Sequence, residues 1–72
     1  MTDTHAIEFD FGDLWSEAVG QSAYYAIQTG KKAGIVLILE PVKDRKYCIW
    51  LNTTIEHFNL PIDTWSIENT SY

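Results

Sequence analysis

Residues 34–40, Gly-Ile-Val-Leu-Ile-Leu-Glu, constrain the fold of this chain more than any other segment. Five consecutive apolar residues, Ile35 to Leu39, show no polar position at any period and are rich in β-branched side chains. Such a run is read as a strand buried on both faces, and therefore as the interior of a sheet. It is far too short for a membrane span, which needs about 20 residues.

The flanking segments predict what pairs with that strand. His5 to Phe11 alternates, with His5, Ile7, Phe9 and Phe11 on one side and Ala6, Glu8 and Asp10 on the other. Period two with apolar residues on one side reads as a strand whose apolar face is buried. Gly12-Asp13 breaks it, and Asp13 suits the N-cap of a helix from about Leu14 to Thr29. Leu14, Ala18 and Tyr25, with Trp15, Val19 and Ala26, form that helix's apolar stripe. Gly20, unfavourable in mid-helix, predicts close backbone approach to a sheet, and Gly30 predicts the C-terminal cap. Pro41 to Arg45 reads as a charged turn. Lys46 to Leu51 reads as a strand antiparallel to the apolar one, because the connection is short. Thr53-Thr-Ile-Glu56 has the form of a capping box, opening a short helix to about Asn59 that Pro61 closes. Ile62 to Ile67 is open to two readings, an edge strand or an ordered tail. The expected fold is thus a single α/β domain over residues 1–72, a small mixed sheet in two or three layers. Its order is β-α-β-β-α, with a right-handed crossover between the first two strands.

Size and charge narrow the function. Seventy-two residues with 46% hydrophobic content form an ordered domain near the lower limit for autonomous folding, where self-association helps. The lone Cys48, set in an apolar run, is expected to be a buried thiol and gives no sign of a disulfide-stapled secreted protein. Residues 1–20 carry five acids and no base, the reverse of a signal peptide or presequence, so a cytoplasmic protein of a bacterium or host cell is expected. All five bases (Lys31, Lys32, Lys43, Arg45 and Lys46) lie between 31 and 46, and the net charge is −5. That balance opposes unspecific DNA binding, which draws its affinity from cations neutralising phosphates.

The acids themselves form a constellation. Glu8 and Asp10, two apart on a strand, leave the same face, and Glu17 and Gln21 lie at i and i+4 on the helix that follows. Asp3 could add a third carboxylate. Clustered carboxylates without His or Cys suit Mg²⁺ or Mn²⁺, ions that position a water and stabilise charge on a phosphate. Equally, these can be ordinary acids on a solvated sheet edge and first helical turn. His5 should face away from Glu8.

A longer pattern runs through the same residues: Thr2 to Phe11, Trp15, Glu17-Ala-Val-Gly-Gln21, Tyr24-Tyr-Ala and Thr29-Gly-Lys-Lys-Ala-Gly-Ile-Val-Leu-Ile38. Over about residues 2–40 it resembles a PD-(D/E)XK nuclease-like family of bacteria and their mobile elements, with Gly-Gln-Ser-x-Tyr-Tyr-Ala as its most specific part. The resemblance implies a reduced PD-(D/E)XK core. Asp3 or Asp10, with Glu8, would hold the metal, and Glu17 and Gln21 would complete the site from the helix. The pattern is met from inside, so the family's leading helix and first strand are expected to be absent. Its catalytic Lys is absent too: Asp10 stands two residues after Glu8, and Leu14 and Ser16 flank Trp15.

Two functions follow. The first is a non-catalytic, protein-binding relative of these nucleases: a phage or mobile-element inhibitor of a host defence complex, such as an anti-CRISPR. Its acids would stand in for phosphates before a nucleic-acid-binding protein, with Asp10, Asp13, Trp15 and Glu17 at the partner surface, and it would need no cofactor. The alternative is a minimal Mg²⁺- or Mn²⁺-dependent DNA endonuclease, with Glu8, Asp10, Glu17 and Gln21 catalytic, active as a homodimer. The missing cation favours the first, since such a group is typically worth about 10²–10³ in rate.

Overall fold

Strand β1 (His5–Phe11) leads through a single 3₁₀ turn (Gly12–Leu14) into helix α1 (Trp15–Thr29), and strand β2 (Lys32–Leu39) follows. Helix α2 (Arg45–Phe58) and strand β3 (Ile62–Glu68) complete the order β-α-β-α-β in the computed structural model, which describes residues 4–68. The sheet runs β1-β2-β3, and both neighbouring pairs are parallel. The apolar run therefore forms the central strand, as its composition predicts. Ile62–Glu68 is an edge strand.

Each strand connection is a helical crossover, and both helices lie on one face of the sheet. Ala18 of α1 and Leu51 of α2 join a single core with Ala33, Ile35, Leu37 and Leu39 of β2 and Ile62 of β3. Trp15 and Trp50 meet between the helices, ring centroids 6.3 Å apart. A strand order that advances in one direction with right-handed crossovers puts successive helices on the same side. The architecture is thus two layers, sheet and helices.

Four sequence expectations for the helices and their turns are corrected. Lys46 to Leu51 is not an antiparallel strand but the first half of α2. A short apolar run such as Tyr-Cys-Ile-Trp-Leu fits a strand or a buried helix equally well by periodicity. Here Cys48, Leu51 and Ile55, spaced three and four, turn one stripe onto the core. The Thr53–Glu56 pattern consequently lies inside a helix already under way. Thr54 Oγ1 donates to the Trp50 carbonyl at 2.9 Å, and the predicted end near Asn59 is kept by its left-handed φ of 53°. Asp13 does not cap α1: the helix begins at Trp15 with no side-chain cap. Gly20 approaches nothing, for a Cβ there would find no atom within 4 Å. Gly30 does cap α1, at φ 69° with its N–H donating to the Ala26 carbonyl.

The largest correction concerns β1. Register pairs Ala6, Glu8 and Asp10 with Ala33, Ile35 and Leu37, so β1's polar side faces the helices. Its aromatic side faces away, leaving Phe9 57% and Phe11 58% exposed. On that same outer face lie Val36 and Ile38 of β2 and Trp65 and Ile67 of β3. Gly34 makes room there for the Trp65 indole, since a Cβ would stand 3.0 Å from its Cζ3. Trp65 meets the His5 ring edge-on at 5.6 Å, and His5 Nε2 lies 2.7 Å from Asp63 Oδ2, joining β1 to β3 across β2.

Candidate functional site

Glu8 and Asp10 lie on an edge strand, on the face over which α1 packs. Strand alternation puts them side by side. Glu8 is half-buried, and that burial pushes its carboxyl above the usual value, helped by the Asp10 charge and a hydrogen bond between the two side chains. A proton or a metal ion held between the two groups would relieve that shift.

Helix α1 determines what else reaches the pair. Val19, Ala23, Ala26 and Ile27 line a groove with Leu60 and Ile62, so that flank of α1 faces β3. At about 100° per residue, the opposite flank, toward the β1 edge, carries Gln21 and Tyr25, with Glu17 further round toward water. Gln21 and Glu17 are both exposed. Gln21 thus lies on the α1 flank nearer β1, and Glu17 further round toward solvent. Asp13 is exposed in the turn after β1, whereas Trp15 is half-buried against α2 on the other side of the helix from Glu17. Asp3 lies outside the described residues. Among the described residues no group of three or more His, Cys, Asp or Glu is placed to hold a metal ion. His5 faces away from Glu8, as its position in the strand predicts.

A cleft of about 340 Å³ opens beyond the carboxyl ends of β1 and β2, between the two strand-to-helix loops. Asp13, Glu40, Lys43, Asp44 and Tyr47 line it with Phe11. In parallel α/β sheets ligands bind at this end of the strands. Its loop is locally fastened: the Glu40 N–H donates to Asp44 Oδ2 at 3.0 Å, and Lys43 Nζ lies 3.5 Å from Glu40 Oε2. Glu40, Asp44 and Tyr47 were not legible as neighbours of Asp13, because the Lys46–Leu51 strand expected from sequence would have removed the crossover that brings them there. The carboxyl end of the sheet is mixed in charge: Asp10, Asp13, Glu40, Asp44 and Glu68 lie there with Lys43, Arg45 and Lys46, while Lys31, Lys32 and Asp63 lie at the amino end.

No known protein family, curated protein or solved structure matches this chain. Among the described residues no helix is long and apolar enough to cross a membrane.

Proposed function

We propose that the chain is a protein-binding relative of the PD-(D/E)XK nucleases, presenting acids to a partner that normally holds nucleic acid. The observation that carries this reading is the Glu8–Asp10 pair, two carboxylates on the side of β1 that faces the helices, with an acid and not a base two residues after Glu8. A hydrolytic phosphate site needs positive charge where negative charge develops. Here acid continues from Asp10 through the exposed Asp13 and Glu17 along the β1–α1 junction. A row of carboxylates of this kind suits a cationic groove. An inhibitor of a host nucleic-acid-binding defence complex, encoded by a phage or mobile element, fits that chemistry. It acts in the cytoplasm and requires no cofactor.

A second reading rests on the same pair. Two carboxylates on one face, preceding a crossover helix that carries Gln21 on the near flank, fit part of a divalent-cation site. Glu8 and Asp10 would hold Mg²⁺ or Mn²⁺, which would supply a polarised water for a minimal endonuclease working as a homodimer. Gln21 would orient that water, and Asp3 and Glu17 would be further contributors.

Incubation of duplex, single-stranded and branched DNA with the protein in Mn²⁺, beside Glu8→Gln, separates the two. The binding reading expects intact DNA with both proteins. It also expects the chain to displace DNA from its target complex, an effect lost on Asp13→Lys or Glu17→Lys. Cleavage that disappears in Glu8→Gln overturns it in favour of the nuclease.

A further inference from the structure

Three side chains at the amino end of the sheet form a chain of hydrogen bonds that neither reading uses. Thr4 Oγ1 lies 2.8 Å from His5 Nδ1, and His5 Nε2 lies 2.7 Å from Asp63 Oδ2. A hydroxyl, an imidazole and a carboxylate joined in that order are the parts of an activated nucleophile. The base is within reach of the hydroxyl, and a third group orients the base. We propose that Thr4 is a nucleophile toward activated acyl groups, with His5 as its general base and Asp63 positioning that base.

The bonds dictate the protonation pattern. An ionised carboxylate can only accept, so the proton between His5 and Asp63 sits on Nε2. In the neutral ring Nδ1 then carries the lone pair, and the Thr4 hydroxyl donates to it. That tautomer can take the hydroxyl proton as Oγ1 attacks. Other threonines in the chain are bonded differently. Thr29 and Thr54 donate to carbonyls of their own helices, and Thr64 to the Asn52 amide oxygen. Those acceptors are not bases. Of these four hydroxyls, Thr4 alone meets a group that can remove its proton.

The fold fixes the ring. His5 is on β1 and Asp63 on β3, so the bond between them crosses β2, where Gly34 pairs with Asp63. A Cβ at Gly34 would stand 3.6 Å from His5 Cδ2 and 3.0 Å from Trp65 Cζ3, so its absence lets both rings lie over the strand. Trp65 meets the imidazole edge-on, and the His5 side chain is 19% exposed. Thr4 is exposed, which leaves its hydroxyl accessible to a substrate. Register puts Lys32 beside His5 on the same face, adding positive charge where an oxyanion would develop.

In the reaction Oγ1 bonds to the carbonyl carbon of an ester while its proton passes to Nδ1. The ester C–O bond then breaks, and the leaving oxygen takes the proton from Nδ1. Water attacks acyl-Thr4 by the same route, releasing the carboxylic acid and restoring the hydroxyl. His5 and Asp63 lie on the opposite face of the sheet from Glu8 and Asp10. The activity therefore stands or falls independently of the binding reading.

Brief exposure of the native chain to p-nitrophenyl acetate, followed by peptide mapping with mass spectrometry, tests the proposal. The expected result is an acetyl ester on Thr4, formed about a hundredfold faster than on Thr29, Thr54 or Thr64. Cleavage by hydroxylamine separates that ester from acetylated amines. His5→Gln should reduce Thr4 to the rate of the other threonines. Asp63→Ala removes the acceptor that keeps the proton on Nε2 and should slow Thr4 about tenfold, with Asp63→Glu restoring part of the rate. Imidazole nitrogen NMR of the native chain needs no substitution and should show His5 protonated at Nε2. A Thr4 that reacts no faster than the other threonines, or equally fast in His5→Gln, overturns the proposal. So does a native His5 protonated at Nδ1 alone.

Discussion

The two faces of the sheet are made of alternate residues on the same three strands, and they have opposite chemistry. The covered face combines aliphatic side chains on β2 with Ala6, Glu8 and Asp10 on β1, so the helices sit partly over carboxylates. The outer face is aromatic and aliphatic from edge to edge, yet no described element packs on it. Burial in this molecule is decided by where the crossovers pass. Two connections of the same hand advancing in the same direction both pass on one side, and the hydrophobicity of β1 does not reverse that. The carboxylates gain a semi-enclosed position in which their charges interact, and the aromatics are left exposed.

That contrast can be broken most strongly at its centre. Leu37→Ala on the covered face removes a fully buried side chain and should cost about 2–5 kcal/mol, a large part of the stability of so small a domain. Phe11→Ser on the outer face should change the unfolding free energy of the monomer by less than about 0.5 kcal/mol. Urea titration of both variants at low protein concentration checks the pair. Equal losses would mean that the outer face is packed within the monomer.

Two glycines sharpen the comparison at smaller scale. A Cβ at Gly12 would stand 2.8 Å from Leu39 Cδ2 and 3.0 Å from Tyr47 Cδ2, both packed on the helical side. Gly12→Ala should therefore destabilise by about 1–3 kcal/mol, since the Leu39 and Tyr47 side chains must shift to admit the methyl group. Gly20 points into open space, so Gly20→Ala should stabilise by about 1 kcal/mol through helix propensity alone. Thermal melts of the two variants should shift in opposite directions.

The smallest effect belongs to the carboxylate pair. Burial, with Asp10 beside it, raises the Glu8 pKa in the folded protein above its ordinary value. The folded state then binds the proton more tightly than the unfolded chain, so ionising Glu8 weakens folding. Its contribution is least favourable at neutral pH. It improves as pH falls through the raised value, and levels off below the ordinary one. Glu8→Gln should accordingly be more stable than the native chain at pH 7, with the difference vanishing near pH 4. Melting curves at the two pH values read this directly, and a difference independent of pH would exclude the electrostatic cause.

Local patterns account for much of what was legible in the chain. The run Ile35–Leu39 identified the central strand, Gly12 and Gly30 bracketed the first turn and helix, and Glu8 and Asp10 were placed on one face by strand alternation. Elements whose signals are ambiguous over short windows were not legible. Tyr47 to Leu51 is apolar enough for a strand, and only the continuation of the stripe to Ile55 makes it helical. That one difference changes the connection after β2 from a hairpin to a crossover, and with it the cleft that joins Asp13 to Glu40 and Asp44. Glu17 and Gln21 were correctly spaced on one helix, but their flank relative to β1 depends on where α2 packs.

What the sequence determined by itself is therefore local: which segments are extended, where α1 ends, and which side chains share a side of a strand. These depend on backbone sterics and on periods of 2 and 3.6 residues, which a few neighbours specify. Only the tertiary structure decided which side of β1 the helices cover, and thus that Glu8 and Asp10 lie beneath α1 while Phe9 and Phe11 look outward. Alternation specifies that two faces differ, but not which one is buried. That choice is made by the handedness of the crossovers and by the common core they close around Leu37 and Leu51.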